Sequence, residues 1–67
     1  MIEFQLNGQL RSVQESCTIA DLLDREGWTQ RRVAVECNGQ IVPRSQHAVY
    51  AVNSGDRIEV VQAMGGG

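Results

Sequence analysis

TIADLLDREG, residues 18–27, is the stretch whose reading decides the architecture. Ile19, Leu22 and Leu23 recur at i, i+3 and i+4, which places them on one stripe of an α-helix. Thr18 ahead of them suits an N-cap. Asp21, three residues on, resembles the reciprocal capping box, with a carboxylate one methylene shorter than the usual glutamate. Asp24, Arg25 and Glu26 form the solvated side, and Gly27 supplies the left-handed conformation that closes many helices. Two turns of helix do not persist alone in water, so this apolar stripe needs a sheet to lie on.

Strand patterns flank the helix on both sides. Upstream, Ile2, Phe4 and Leu6 alternate with Glu3, Gln5 and Asn7, the period-two pattern of a half-buried strand. Asn7-Gly8 is a strong two-residue hairpin signal, and a return strand runs through Leu10 to about Val13 with weaker alternation. Downstream, Trp28 is placed as a lid on the helix end. Val33, Val35 and Cys37 then share one face of a third strand, Asn38-Gly39 turns it, and Gln40-Ile41-Val42 ends at Pro43, which cannot donate to a ladder. Residues 45–52 show no period. Asn53-Ser54-Gly55-Asp56 supplies turn chemistry before a last strand from Arg57 to about Ala63. With Ile58 and Val60 facing the core, Glu59, Val61 and Ala63 face outward.

The order strand, strand, helix, strand, strand, strand predicts an α+β fold of the β-grasp, ubiquitin-like kind. Its mixed sheet of four to five strands is crossed on one face by the short helix, with the apolar first and last strands side by side at the centre. A ferredoxin-like split arrangement wants a second helix, and the sequence offers none. Residues 1–64 are assigned to this domain and 65–67 to a flexible glycine tail.

A chain of 67 residues supports one thin core, burying only about 60 % of its unfolded surface. It has little scaffold left to frame a catalytic cleft, which favours a binding module, carrier or subunit over an enzyme. Six arginines face eight carboxylates, for a formal net charge of −2, with no basic run; nucleic acid is not an expected partner. No apolar run is long enough to span a membrane, and MIEFQLNG reads as a strand and not as a signal peptide. The expected location is the cytoplasm, where Cys17 and Cys37 are free thiols. The chain contains no lysine.

Three residues are candidates for thiol chemistry: Cys17, Cys37 and His47. Cys17 precedes a helix N-terminus, where a thiolate is favoured. The plainer reading makes Cys37 a core residue and Cys17 incidental, since nothing in the spacing brings a thiol to the imidazole. Metal binding lacks both C-x-x-C and H-x-x-x-H spacing, and no glycine-rich loop has phosphate-cradle spacing. What remains is the end of the chain, Val60-Val61-Gln62-Ala63-Met64-Gly65-Gly66-Gly67. Three extended glycines reach about 10 Å and accept any dihedral, so they can carry a terminal carboxylate from the sheet into a partner's buried site. Val61 and Ala63, with the adaptable Met64, make a small apolar patch at the root of that tail.

Asn38-Gly39-Gln40-Ile41-Val42-Pro43-Arg44, Gly55-Asp56-Arg57-Ile58 and the closing Gly65-Gly66-Gly67 together resemble the ThiS family, ubiquitin-like sulfur carriers of thiamin biosynthesis. Thr18-Ile19-Ala20-Asp21-Leu22-Leu23 resembles that family's helix start, and the likeness covers essentially the whole chain. The resemblance implies a co-substrate and not an enzyme, with no catalytic residue, no metal and no cofactor bound to the chain itself. A ubiquitin-activating-type adenylating enzyme (ThiF-like) would use MgATP to convert the Gly67 carboxylate to an acyl-adenylate. A cysteine-derived persulfide would displace AMP to leave a thiocarboxylate, and a thiazole synthase (ThiG-like) would accept the sulfur. Gly65 and Gly66 would thread into the partner sites, with Met64, Val61 and Ala63 touching the partners. The absence of lysine fits, because no side-chain amine is present to attack the activated end. The family shares a Gly-Gly ending; the third glycine here lengthens the reach by one residue or shifts what Met64 contacts. Alternatives are a carrier for molybdopterin synthesis, a ubiquitin-like protein modifier, or a plain β-grasp interaction domain with an inert tail.

Overall fold

The computed structural model describes residues 1–29 and 31–62. Five strands, β1 (Ile2–Leu6), β2 (Gln9–Val13), β3 (Val33–Cys37), β4 (Gln40–Val42) and β5 (Arg57–Gln62), surround one helix, α1 (Ile19–Arg25), and a 3₁₀ turn covers Arg44–Gln46. Both hairpins close as the dipeptides predict, with φ of 51° and 82° at Asn7 and Gly8 and of 55° and 84° at Asn38 and Gly39. Two successive positive φ values match the twist of the flanking strands, and Asn-Gly reaches them with little strain.

The strands lie in the order β2-β1-β5-β3-β4. β1 and β5 run parallel and every other pair is antiparallel, so the sheet is mixed and the fold is a β-grasp. As expected, the first and last strands are neighbours, and β5 is central. Phe4 and Leu6 of β1, Val35 and Cys37 of β3, and Ile58 and Val60 of β5 meet Ile19, Leu22 and Leu23 of α1 in one core. The strand expected to run to about Ala63 is described to Gln62, and Ala63 lies outside the described residues.

The capping box forms: Thr18 Oγ1 accepts the Asp21 N–H at 3.1 Å, and Asp21 Oδ2 accepts the Thr18 N–H at 3.0 Å. The bond from the Thr18 backbone holds the Asp21 carboxyl below its ordinary range. A depressed carboxylate pKa stabilises the fold above the unfolded value and loses that contribution as pH falls through the folded one. Thr18→Ala is expected to cost about 1 kcal/mol, read as a lower urea midpoint with an unchanged slope. Gly27 is left-handed, with φ 78°, and half-buried Trp28 packs on the core while its N–H bonds the Leu23 carbonyl at 2.8 Å.

Three features differ from the expectations. Glu26 is not simply solvated. It is half-buried and takes a two-point ion pair from Arg11, at 2.9 and 3.1 Å, which ties β2 to the end of α1. That pair also accounts for the poor alternation of β2. Its inward position opposite Phe4 carries Arg11, while Leu10, opposite Gln5, points to the open face with 70 % exposure. With Arg11 more than a third exposed, the pair is worth well under about 1 kcal/mol.

The second feature is residues 45–52, where no period was visible. The segment acts through its backbone: the carbonyls of Tyr50 and His47 accept the N–H groups of Ile19 and Ala20 at 2.9 and 2.8 Å, filling donors that a helix start leaves orphaned. Thr18 bridges to Ala51, Val52 N–H reaches the Cys17 carbonyl, and buried His47 sets Nε2 3.1 Å from the Val42 carbonyl. The third concerns Cys17. It does not stand at the helix start as an available thiolate but is 3 % exposed, part of the core.

Candidate functional site

β5 carries the chain toward its glycine end through the middle of the sheet. Its even positions Ile58 and Val60 are buried; Glu59 is exposed, and Val61 is 58 % exposed, as the alternation required. Register then assembles the open face. Val61 lies opposite Ala34, Glu59 opposite Glu36, and Glu36 opposite Ile41, which is 70 % exposed. The face beside the tail root is therefore a short apolar strip with two carboxylates side by side. Like charges directly opposite each other repel, so this pair does nothing for the stability of the free domain. Ala63, Met64, Gly65, Gly66 and Gly67, named from sequence for partner contact, threading and modification, lie outside the described residues; Val61 is the member of that set with a described position.

Two side chains that the sequence explained only as turn formers hold β5. At its start, Asn38 Oδ1 accepts the Arg57 N–H at 2.9 Å while Nδ2 donates to Asp56 Oδ1 at 3.0 Å. Farther along, Asn7 Oδ1 accepts the Val60 N–H at 2.8 Å and Nδ2 donates to the Val60 carbonyl at 3.2 Å. The signal was present, since asparagine is the turn residue that also carries a donor and an acceptor. Its target needed the topology. On the helix side, a small cleft lined by Trp28, Arg31, Val33, Val60 and Gln62 adjoins the same end of β5.

Thiol and metal chemistry find no support in the geometry. Burial pushes the Cys17 and Cys37 thiols up, the opposite of an activated nucleophile, and Cys37 fills a core position. The His47 Nε2 is engaged with a backbone carbonyl and not with sulfur. Among the described residues no three His, Cys, Asp or Glu side chains gather as metal ligands, and no helix is long and apolar enough to cross a membrane.

Residues 4–67 match the model of the ThiS family, nearly the full chain. The chain belongs to the ThiS family. Its ThiS-family relatives include the sulfur carrier protein ThiS of Escherichia coli, 33 % identical over 66 residues that span 98 % of this chain and 100 % of that one. The crystal structure of a thiamine biosynthesis protein (ThiS) from Geobacter metallireducens superposes with a TM-score of 0.84 at 32 % identity, covering 98 % of this chain and all of that one. The thiazole synthase of Paramagnetospirillum magneticum is 47 % identical over 62 residues, which make up 92 % of this chain but 19 % of that protein. The ThiS-family chain thus spans about a fifth of the thiazole synthases it matches.

Proposed function

We propose that this chain is a sulfur carrier of thiamin biosynthesis whose Gly67 carboxylate is the group that carries sulfur. The observation that carries the reading is β5: a central strand, buried on one face and open on the other, that continues in sequence into Met64 and the glycines without a linker. A strand held this way gives a short glycine tail a fixed origin, and residues 65–67 serve as the arm.

In the proposed cycle a ThiF-like adenylating enzyme docks on the open face of the sheet and supplies MgATP. A Gly67 carboxylate oxygen attacks the α-phosphorus, expelling pyrophosphate and leaving an acyl-adenylate. The outer sulfur of a cysteine-derived persulfide attacks the acyl carbon and AMP departs. A second thiol then cleaves the acyl disulfide to free the thiocarboxylate, which a ThiG-like thiazole synthase accepts as sulfur source. The carrier contributes a recognisable surface and an unhindered end; the acid, base and metal chemistry belongs to its partners. This cycle is placed in the cytoplasm, where persulfide donors and free thiols persist.

The test is fragmentation of the peptide that follows Arg57, recovered after co-expression with the adenylating enzyme and sulfur donor. That peptide contains no cysteine, so alkylation of its end separates a thiocarboxylate from an oxidised Met64, which has nearly the same mass. A thiocarboxylate on Gly67 supports the proposal. Gly67 joined to lysines of other proteins, or a bare carboxylate with all components supplied, rejects it. The docking surface has its own test. Val61→Asp is expected to raise the KM for the carrier in ATP–pyrophosphate exchange about tenfold, equivalent to roughly 1.4 kcal/mol. The unfolding midpoint should fall only modestly, by what about 1 kcal/mol of lost strand preference and added repulsion from Glu59 and Glu36 allows, because the position is exposed and no core packing is lost. Unaltered kinetics would remove Val61 from the interface.

A further inference from the structure

β1 accompanies β5 only part of the way. The two strands pair in register at Gln5 with Arg57 and at Leu6 with Ile58, and the ladder closes with the Asn7 N–H on the Ile58 carbonyl at 2.9 Å. At Asn7-Gly8 the chain turns away into β2, so β1 has no peptide group left to offer the next residue of β5 on that side. That residue is Val60, and the Asn7 carboxamide takes the place of the missing peptide. Its oxygen receives the Val60 N–H at 2.8 Å and its nitrogen gives a hydrogen to the Val60 carbonyl at 3.2 Å. A primary amide has the donor, the acceptor and the planarity of a peptide unit, and asparagine tolerates the φ of 51° that the turn imposes. Aspartate lacks the donor, and serine has no planar amide.

We infer that Asn7 is a positioning residue for the proposed terminal chemistry: by clamping both backbone groups of Val60 it sets the line along which β5 delivers the glycine tail. The inference rests on the carrier reading above. Past Ile58, β5 has β3 on one side, where Val61 faces Ala34 and Gln62 faces Val33, and the Asn7 side chain on the other. Releasing the clamp leaves the last residues of the strand held from one side, free to pivot. An arm of a few residues multiplies a small rotation at its root into a displacement of its tip, and a misplacement of about 1 Å at a reacting group can cost on the order of 100-fold in rate. Val61, which stays paired opposite Ala34 of β3, keeps the recognition surface largely in place, so the loss falls on kcat more than on KM.

Asn38 provides the internal control. It occupies the same turn position, with φ 55°, and its carboxamide also makes two bonds, but to the start of β5. Asn7→Gly and Asn38→Gly each keep a residue that accepts the turn conformation and each remove two side-chain hydrogen bonds. The experiment measures ATP–pyrophosphate exchange by the adenylating enzyme with both variants at varied carrier concentration, and amide hydrogen exchange of the isolated proteins. Asn7→Gly is expected to lower kcat about 10-fold or more with KM within about twofold, while Asn38→Gly keeps kcat near wild type. In the isolated Asn7→Gly protein, protection should fall at the Val60 amide while Val61, paired with β3, keeps its own. Full kcat in Asn7→Gly, equal kcat losses in the two variants, or unchanged Val60 protection overturns the proposal while the carrier reading stands. Wild-type protein that supports no exchange at all rejects the carrier reading and the positioning role together.

Discussion

Deleting Gly66 and Gly67 is expected to abolish the proposed thiocarboxylate formation and to leave the unfolding transition where it was. The stability half of that expectation follows from the core, which among the described residues runs from Phe4 to Val60 with Ile2 packed against it, and from the lack of any side chain on the two deleted glycines. The activity half follows from reach. Each extended residue carries the chain about 3.3–3.6 Å, so the loss of two withdraws the carboxylate by roughly 7 Å, far beyond the tolerance of an attack on phosphorus. Residual loading should fall below detection in a single-turnover assay with the adenylating enzyme and MgATP. An interaction domain with an inert tail would behave in the opposite way and keep full partner function after the deletion. Retention of loading by the shortened chain would therefore remove Gly67 from the mechanism.

Phe4→Ala is expected to remove much or all of the chain's stability at physiological temperature. Phe4 is 2 % exposed and sits on β1 beside the central strand, under the stripe formed by Ile19, Leu22 and Leu23. Truncating a buried phenylalanine costs about 3–5 kcal/mol, because the vacated volume cannot be refilled by so small a core. At roughly 0.05–0.15 kcal/mol per residue, a chain of 67 residues has a total stability of about 3–10 kcal/mol. The substitution consumes much or all of that. Trp28, packed against the core at the end of α1, gives a fluorescence probe of the same transition that circular dichroism reads in the sheet. Phe4→Leu, which keeps most of the volume, should lose far less. A Phe4→Ala protein with a midpoint near wild type would show that the core relaxes into the gap.

What was legible in the sequence was whatever local chemistry decides. The capping box at Thr18 and Asp21, the left-handed Gly27 and the two Asn-Gly turns each depend on residues within a few positions, and each formed as expected. Alternation likewise placed Ile58 and Val60 inward and Val61 outward. The failures share a cause. Arg11 sits at an inward position of β2 because Glu26, fifteen residues away, meets it there, and no periodicity records such a partner. The segment after Pro43 contributes carbonyls, which every residue possesses, so its pairing with the start of α1 leaves no trace in side-chain type. Cys17 looked like a helix-start thiol because its place in the core, with its carbonyl bonded by the Val52 N–H, depends on contacts far along the chain.

The candidate site divides in the same way. The glycine end and the outward Val61 are compositional facts. The opposition of Glu36 to Glu59 and the grip of Asn7 on Val60 exist only once β3, β5 and β1 are in register.

Burial of both thiols also has a practical consequence. Cys17 and Cys37 are 3 % and 2 % exposed, and burial suppresses their thiolates. A haloacetamide at neutral pH is therefore expected to leave the folded, unloaded protein unlabelled, whereas a thiocarboxylate of the kind proposed for Gly67 is ionised and nucleophilic at that pH. Alkylation without denaturant becomes a titration of cargo: label taken up by the folded chain counts delivered sulfur, and label gained only in urea counts cysteine.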